Sequence, residues 1–274
     1  MSCEPGAGVN APRVQQREGC CGKNECDSGL GSPGIRRTHQ PVGAGTIQDP
    51  SYVREAFARI ADRYVTTNHV LSMGTDILWR RKVARIVRSW QPRRVLDVAT
   101  GTGDLALEMQ DACPDVDVIG SDFCAEMLAH ASRRGLARTL VADALALPFQ
   151  DGEFDVVTVA FGLRNMADYG KAIREMRRVL RPGGHLLVLD FSLPEGAMRK
   201  PYRWYLHNVL PKMAGCLTGQ KDAYEYLGGS IEEFPMGKEM CSLIEAQGFR
   251  DADAQPLTCG VASIYMAEAV PLLD

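Results

Sequence analysis

No run of about 18 apolar residues occurs in the chain, so no membrane-spanning helix is expected. The N-terminus lacks the basic patch and apolar stretch of a signal peptide, which makes a cytoplasmic protein the expectation. Positive charge is not in excess. The 31 Lys and Arg stand against 34 Asp and Glu, a net charge of −3. A general nucleic-acid binder is usually basic, so no nucleic-acid partner is expected. A disulfide framework is missing too. The nine cysteines are an odd number, and Cys113, Cys124, Cys216, Cys241 and Cys259 are scattered as free thiols in a reducing compartment are. The early group CCGKNEC has no second C-x-x-C pair and only His39 nearby, so no metal site is expected. Aromatic residues are absent from 1–49, a segment that holds nine of the 27 glycines. Such a stretch cannot bury enough apolar surface to offset its ordering entropy. It is expected to be a disordered extension, with 50–274 as one domain.

What is present begins at Tyr52. YVREAFARIADRYV puts Val53, Phe57, Ile60 and Tyr64 on one helical face. A second helix is expected around 75–90, ended by Pro92. Strands and helices then alternate: RRVLDVA, GDLALEMQDA, DVDVIGSD, AEMLAHASRR, TLVAD, FDVVTVA, DYGKAIREMRRVL and, after an RPGG stop, HLLVLDFS. Alternation with apolar strands predicts a doubly wound α/β fold, its parallel sheet covered on both faces. A helical stretch near 200–214 and a final strand pair near 249–256 and 260–268 follow.

The first strand runs into TGTGDLA. Gly101 and Gly103 allow a tight turn and close approach to a ligand, and the next helix adds free N–H donors. Asp122 ends the following strand, 19 positions after Gly103, where a ribose-binding carboxylate belongs. The pattern points to a cofactor carrying adenosine. The loop also satisfies G-x-G-x-x-A through Ala106, so NAD and S-adenosylmethionine are both open at this point.

After DVVTVA comes FGLRN. Arg164 carries a permanent charge and will not sit unpaired in an apolar interior. Either it is a structural ion-pair partner, or it faces a group that develops negative charge.

ALPFQDGEFDVV and MRRVLRPGGHLLVLDF resemble the later motifs of class I S-adenosylmethionine-dependent methyltransferases, a fold that closes its sheet with an antiparallel strand. With FGLRN the resemblance narrows to the ubiquinone/menaquinone biosynthesis C-methyltransferase family. It covers roughly 50–268, from RYVTTNHVLSMGTDILWR through DVATGTGDLA to YEYLGGSIEEFP and LTCGVASIYMA. The resemblance implies S-adenosylmethionine as cofactor, held by Gly101, Thr102, Gly103, Asp122, Asp143 and Ala144. It implies a lipophilic quinol as acceptor, most simply demethylmenaquinol, with a ubiquinone precursor as the related substrate. Arg164 and Asn165 would stabilise and orient the acceptor's phenolic oxygen, with Tyr64 or His207 as further catalytic candidates. Peripheral membrane contact and a homo-oligomer are left open. Two positions depart from the family pattern: Ala160 where some members carry Ser, and Val65 where members tend to carry Asp. The competing readings are a methyltransferase for another lipid, a cofactor-binding regulator and a nicotinamide-dependent reductase. No Tyr-x-x-x-Lys pair supports the last.

Overall fold

The computed structural model describes residues 72, 74–210 and 230–271. The chain divides into two units, Met1–Gly43 and Ala44–Asp274, and every described residue belongs to the second. The expected extension, the first helix with Tyr64, and the early cysteines lie outside the described residues.

The elements follow the expected order. Helix α1 (Thr75–Ser89) leads into β1 (Arg94–Val98), α2 (Asp104–Ala112), β2 (Asp117–Asp122), α3 (Ala125–Arg133) and β3 (Arg138–Val141). Then come β4 (Phe154–Ala160), α4 (Tyr169–Val179), β5 (Leu180–Phe191), α5 (Arg199–Asn208), α6 (Lys238–Glu245), β6 (Phe249–Leu257) and β7 (Ala262–Ala269). They form a seven-stranded sheet of order β3-β2-β1-β4-β5-β7-β6. Strands β1 to β5 pair in parallel, and β7 runs antiparallel to both β5 and β6.

Side-chain alternation explains the layers. Leu186 and Val188 of β5 enter the core beneath α4 and α6, with Ile173, Met176, Met240 and Ile244. Leu187 and Leu189 face the opposite core, with Trp79, Val83, Val87 and Met109. A period of two buries both faces, as an apolar strand in a covered sheet requires. In α1 the residues Trp79, Val83, Ala84 and Val87 recur at helical spacing and are all buried. Asp168 caps α4, its carboxylate accepting from the Lys171 N–H at 2.8 Å.

The sequence places the fifth strand at His185; the structure starts it at Leu180. Pairing with β4 jumps from Phe154–Leu180 to Val156–His185, so RPGG bulges out of the ladder. Gly184 permits this, since a Cβ there would lie 2.9 Å from the Arg181 and Asp155 carbonyl oxygens.

The sheet order reverses between β2 and β4, on either side of β1. At such a switch point the loops leaving β1 and β4 turn to opposite faces and open a crevice at the strands' carboxyl ends.

Candidate active site

That crevice is lined by the loop after β1, the end of β2, and the FG start of FGLRN after β4, with α1 contributing Arg80. Its floor follows from two backbone requirements. Gly101 and Gly103 both take left-handed conformations, φ 57° and 82°. A Cβ on Gly103 would also come within 3.0 Å of Ala131 in α3. On the β4 side Gly162 is equally constrained, because its Cβ would lie 2.6 Å from that of Ala99. The two loops therefore touch, and only glycine lets them.

Asp122 closes the loop of β1 from the next strand. Its Oδ2 accepts from the Gly101 N–H at 2.8 Å, and its Oδ1 from the Cys124 N–H at 2.9 Å. Burial pushes its pKa up; the N–H groups of Cys124, Gly101 and Phe123 pull it down. With three N–H donors on about four acceptor sites, the carboxylate keeps some capacity at the crevice wall, which suits a hydroxyl of a ligand. Thr102 is buried beside it, its hydroxyl donating to Asp104 at 3.1 Å. Asp143 and Ala144 follow β3 at the same end of the sheet. The Ala142 N–H donates to the Asp122 carbonyl at 3.0 Å, which ties this arm to the end of β2. Asp143 itself accepts from the Leu145 N–H at 2.8 Å and is not part of the crevice lining. Ala160, where some members of the resembled family carry Ser, lines the crevice.

Asp97 was not singled out from the sequence. It is buried at the crevice and accepts the hydroxyls of Thr100 and Thr158, each at 2.6 Å. Burial raises its pKa to about 6, against the pull of those hydroxyls and of Arg80. An acid within the apolar run RVLDV was the available signal. Arg80 ends the motif DILWR. It is buried, lines the crevice, pairs with Asp76, and stands 5.5 Å over the Phe161 ring.

Asn165 reaches the crevice wall, whereas Arg164 lies beside it, outside the lining. Arg164 Nη1 donates to Asp190 Oδ1 at 2.5 Å and to the Phe161 carbonyl at 2.9 Å, and its guanidinium sits 5.2 Å over Phe191. Burial raises the Asp190 pKa, opposed chiefly by the Arg164 charge. Phe161, Phe191 and Trp79 pack together, with ring centroids 4.6 to 6.2 Å apart, and seal this end of the sheet. His207 is not brought to the crevice. It is exposed on α5, with Nε2 2.9 Å from Glu232 Oε1. Among the described residues no cluster of His, Cys, Asp or Glu could hold a metal, and no helix is long and apolar enough to cross a membrane.

Known proteins share the fold, and some share much of the sequence. A 2.20 Å crystal structure of an S-adenosylmethionine-dependent methyltransferase from Thermotoga maritima superposes with a TM-score of 0.56. It is 17% identical and covers 78% of this chain and 98% of its own, a likeness of fold. A demethylmenaquinone methyltransferase of Thermus thermophilus is 48% identical over 218 residues, 77% of this chain and 99% of its own length. A ubiquinone/menaquinone biosynthesis C-methyltransferase of Bdellovibrio bacteriovorus is 42% identical over 227 residues, 79% and 95% of the two lengths. The sequence pattern of the ubiE/COQ5 methyltransferase family matches residues 46–269. The switch-point crevice, its bare glycine loop and its strand-end acid thus belong to a member of the ubiE/COQ5 family of S-adenosylmethionine-dependent methyltransferases.

Proposed function

We propose that this enzyme methylates a ring carbon of a prenylated quinol, demethylmenaquinol first and a ubiquinone precursor second. The observation that carries this reading is the 48% identity to a demethylmenaquinone methyltransferase across nearly the whole of that relative. In this reading Gly101, Thr102, Gly103 and Asp122 hold the cofactor through bare backbone and a carboxylate with acceptor capacity to spare, and Asp143 and Ala144, beyond the crevice lining, flank its adenine end. When bound, S-adenosylmethionine supplies an electrophilic methyl group.

The acceptor must then be electron-rich, which requires the reduced quinol. A phenol ionises near pH ~10, so at neutral pH the protein has to favour the oxyanion. Arg164 supplies positive charge beside the crevice and Asn165 orients the hydroxyl. Phe161, Phe191 and Trp79 keep bulk water from that charge, which strengthens it. Arg164 cannot take the ring proton, since its own never leaves. We assign that step to a water held by Arg164, with Tyr64 as the alternative. His207 is engaged by Glu232, and its proposed place is on a helix covering the prenyl tail. On the same helix Trp204 is 62% exposed, a side chain suited to the interface of a membrane that holds the substrate. The enzyme would then work from the cytoplasm at the membrane surface.

The test is direct. Purified protein is incubated with methyl-labelled S-adenosylmethionine and chemically reduced demethylmenaquinol, and the product is read by mass spectrometry. A methyl gained on the ring only with the reduced acceptor supports the proposal. Transfer to neither demethylmenaquinol nor the ubiquinone precursor, with cofactor bound, removes it.

A further inference from the structure

The crevice has an unusual charge pattern. Asp97, Asp104 and Asp122 line it, and among the described residues the one cationic side chain in its lining is Arg80. Arg80 does not come from the sheet or its loops. It is carried by α1, the helix that precedes the first strand, and α1 packs its Trp79, Val83 and Val87 into the core on that face. The Trp79 indole N–H donates to Thr258 Oγ1 at 2.9 Å, which fixes this turn of α1 against the far side of the sheet.

A guanidinium has five N–H donors, and burying it is costly unless they are paired. Here Nη1 binds the neighbouring Asp76 carboxylate, one helical turn earlier. One face of the group lies over the Phe161 ring. Nη2 has Asp104 3.9 Å away, beyond hydrogen-bond distance, and Asp104 is already held by Arg134 at 2.6 Å. Arg80 is therefore a buried, rigidly mounted cation with donor capacity left over, facing a crevice whose other charges are negative. A planar fork of this kind matches a carboxylate.

We propose that Arg80 binds the α-carboxylate of the amino-acid end of S-adenosylmethionine, making α1 part of the cofactor site. The assignment rests on S-adenosylmethionine being the cofactor. The three acids of the lining repel a carboxylate, so without Arg80 the crevice would select against that end of the ligand.

The experiment compares ligands that differ only in the carboxylate. Binding of S-adenosylmethionine and of decarboxylated S-adenosylmethionine to the full-length protein is measured by calorimetry, with no acceptor present. The wild-type protein is expected to prefer the carboxylated ligand by about 10- to 100-fold, the range for a hydrogen-bonded charge pair. Arg80→Gln is expected to lose that preference by weakening the carboxylated ligand alone, and Arg80→Lys to restore part of it. Equal wild-type affinity for the two ligands overturns the assignment without any variant, so a poorly folding Arg80→Gln does not shield it. Equal weakening of both ligands by Arg80→Gln also overturns it, as a purely structural role for α1 predicts. Binding of neither ligand by the wild-type protein removes the cofactor reading instead.

Discussion

Arg164 and Asp190 form a buried ion pair at 2.5 Å in which each partner leaves one polar atom without a hydrogen bond among the described residues, Nε of the arginine and Oδ2 of the aspartate. Arg–carboxylate pairs frequently close both contacts in a fork, and this one does not. Buried ion pairs add little net stability, yet losing one partner strands the other, at a cost of about 3–5 kcal/mol. Asp190→Asn is therefore expected to lower the melting temperature by roughly 6 to 20 °C in a domain of this size. The double change Arg164→Met with Asp190→Leu is expected to recover most of that stability while turnover stays lost. Thermal unfolding followed beside the methyl-transfer assay separates the two. Turnover that returns with stability means the pair is scaffolding.

Arg164→Lys tests the arginine from the other side. Lysine keeps the charge but not the planar fork, so it cannot hold Asp190 and an acceptor oxygen together. Cofactor binding is expected to stay within a few-fold, because Arg164 lies outside the crevice lining. The rate of methyl transfer is expected to fall by about 100-fold or more, the scale seen when one donor to a developing oxyanion is removed. Full activity in Arg164→Lys would exclude a role in holding the phenolate.

Asp122→Asn concerns the cofactor alone. The amide can accept one of the two backbone N–H groups, from Gly101 or Cys124, and turns its NH2 toward the other. The loop after β1 loses a tie, and a ribose hydroxyl loses a charged acceptor. S-adenosylmethionine affinity by calorimetry is expected to fall at least about 100-fold, from two hydrogen bonds to a charged group of about 1.5–3 kcal/mol each. A change under about 5-fold would place the ribose elsewhere.

What could be read from the sequence was local. The glycine loop and Asp122 are joined by one strand, one helix and a turn, so their meeting follows from the alternation itself. FGLRN was visible as a charged break after an apolar strand. Its partner was not, because Arg164 meets Asp190 only through the parallel register of β4 on β5, and the bulge at RPGG shifts that register. Arg80 was harder still. Its position over Phe161 depends on how α1 docks, with 80 residues of chain between them, and helical periodicity says only which face is buried. His207 is the opposite case: its place on an aromatic-rich helix gives no sign in the sequence of the exposed pairing with Glu232, 25 residues on.

Gly162→Ala probes the contact of the two loops. The new methyl would meet the Ala99 Cβ at 2.6 Å, an atom that moves only with its backbone. Overpacking of this kind costs about 1–3 kcal/mol. Because the strain falls between the cofactor loop and Asn165, turnover is expected to drop further than stability, with both read on one preparation. A variant that loses only stability would mean that the loop after β4 need not be held in place.

Asp97 predicts how pH acts on the free and the loaded protein. Its pKa in the folded chain is about 6, against an ordinary 3.8, with burial as the main cause. Between those values the native state holds a proton that the unfolded chain has released. This contribution to stability is full below pH ~4 and is lost as pH rises through about 6, at most roughly 3 kcal/mol at 1.36 kcal/mol per unit. Arg80 and Asp122 act on Asp97 in opposite directions and set where the change falls. A cationic ligand in the crevice favours the ionised carboxylate, so binding has to expel the proton when pH is low. S-adenosylmethionine affinity is therefore expected to rise by up to about tenfold per pH unit toward pH 6 and to level off above it. The stability of the free protein moves the other way over the same range. Calorimetry in buffers of different ionisation enthalpy counts the released proton, and Asp97→Asn should abolish both the release and the slope. A pH-independent affinity from 5 to 7 in the wild-type protein would mean that no positive charge of the ligand lies near Asp97, and would move the cofactor's sulfonium and ammonium away from the end of β1.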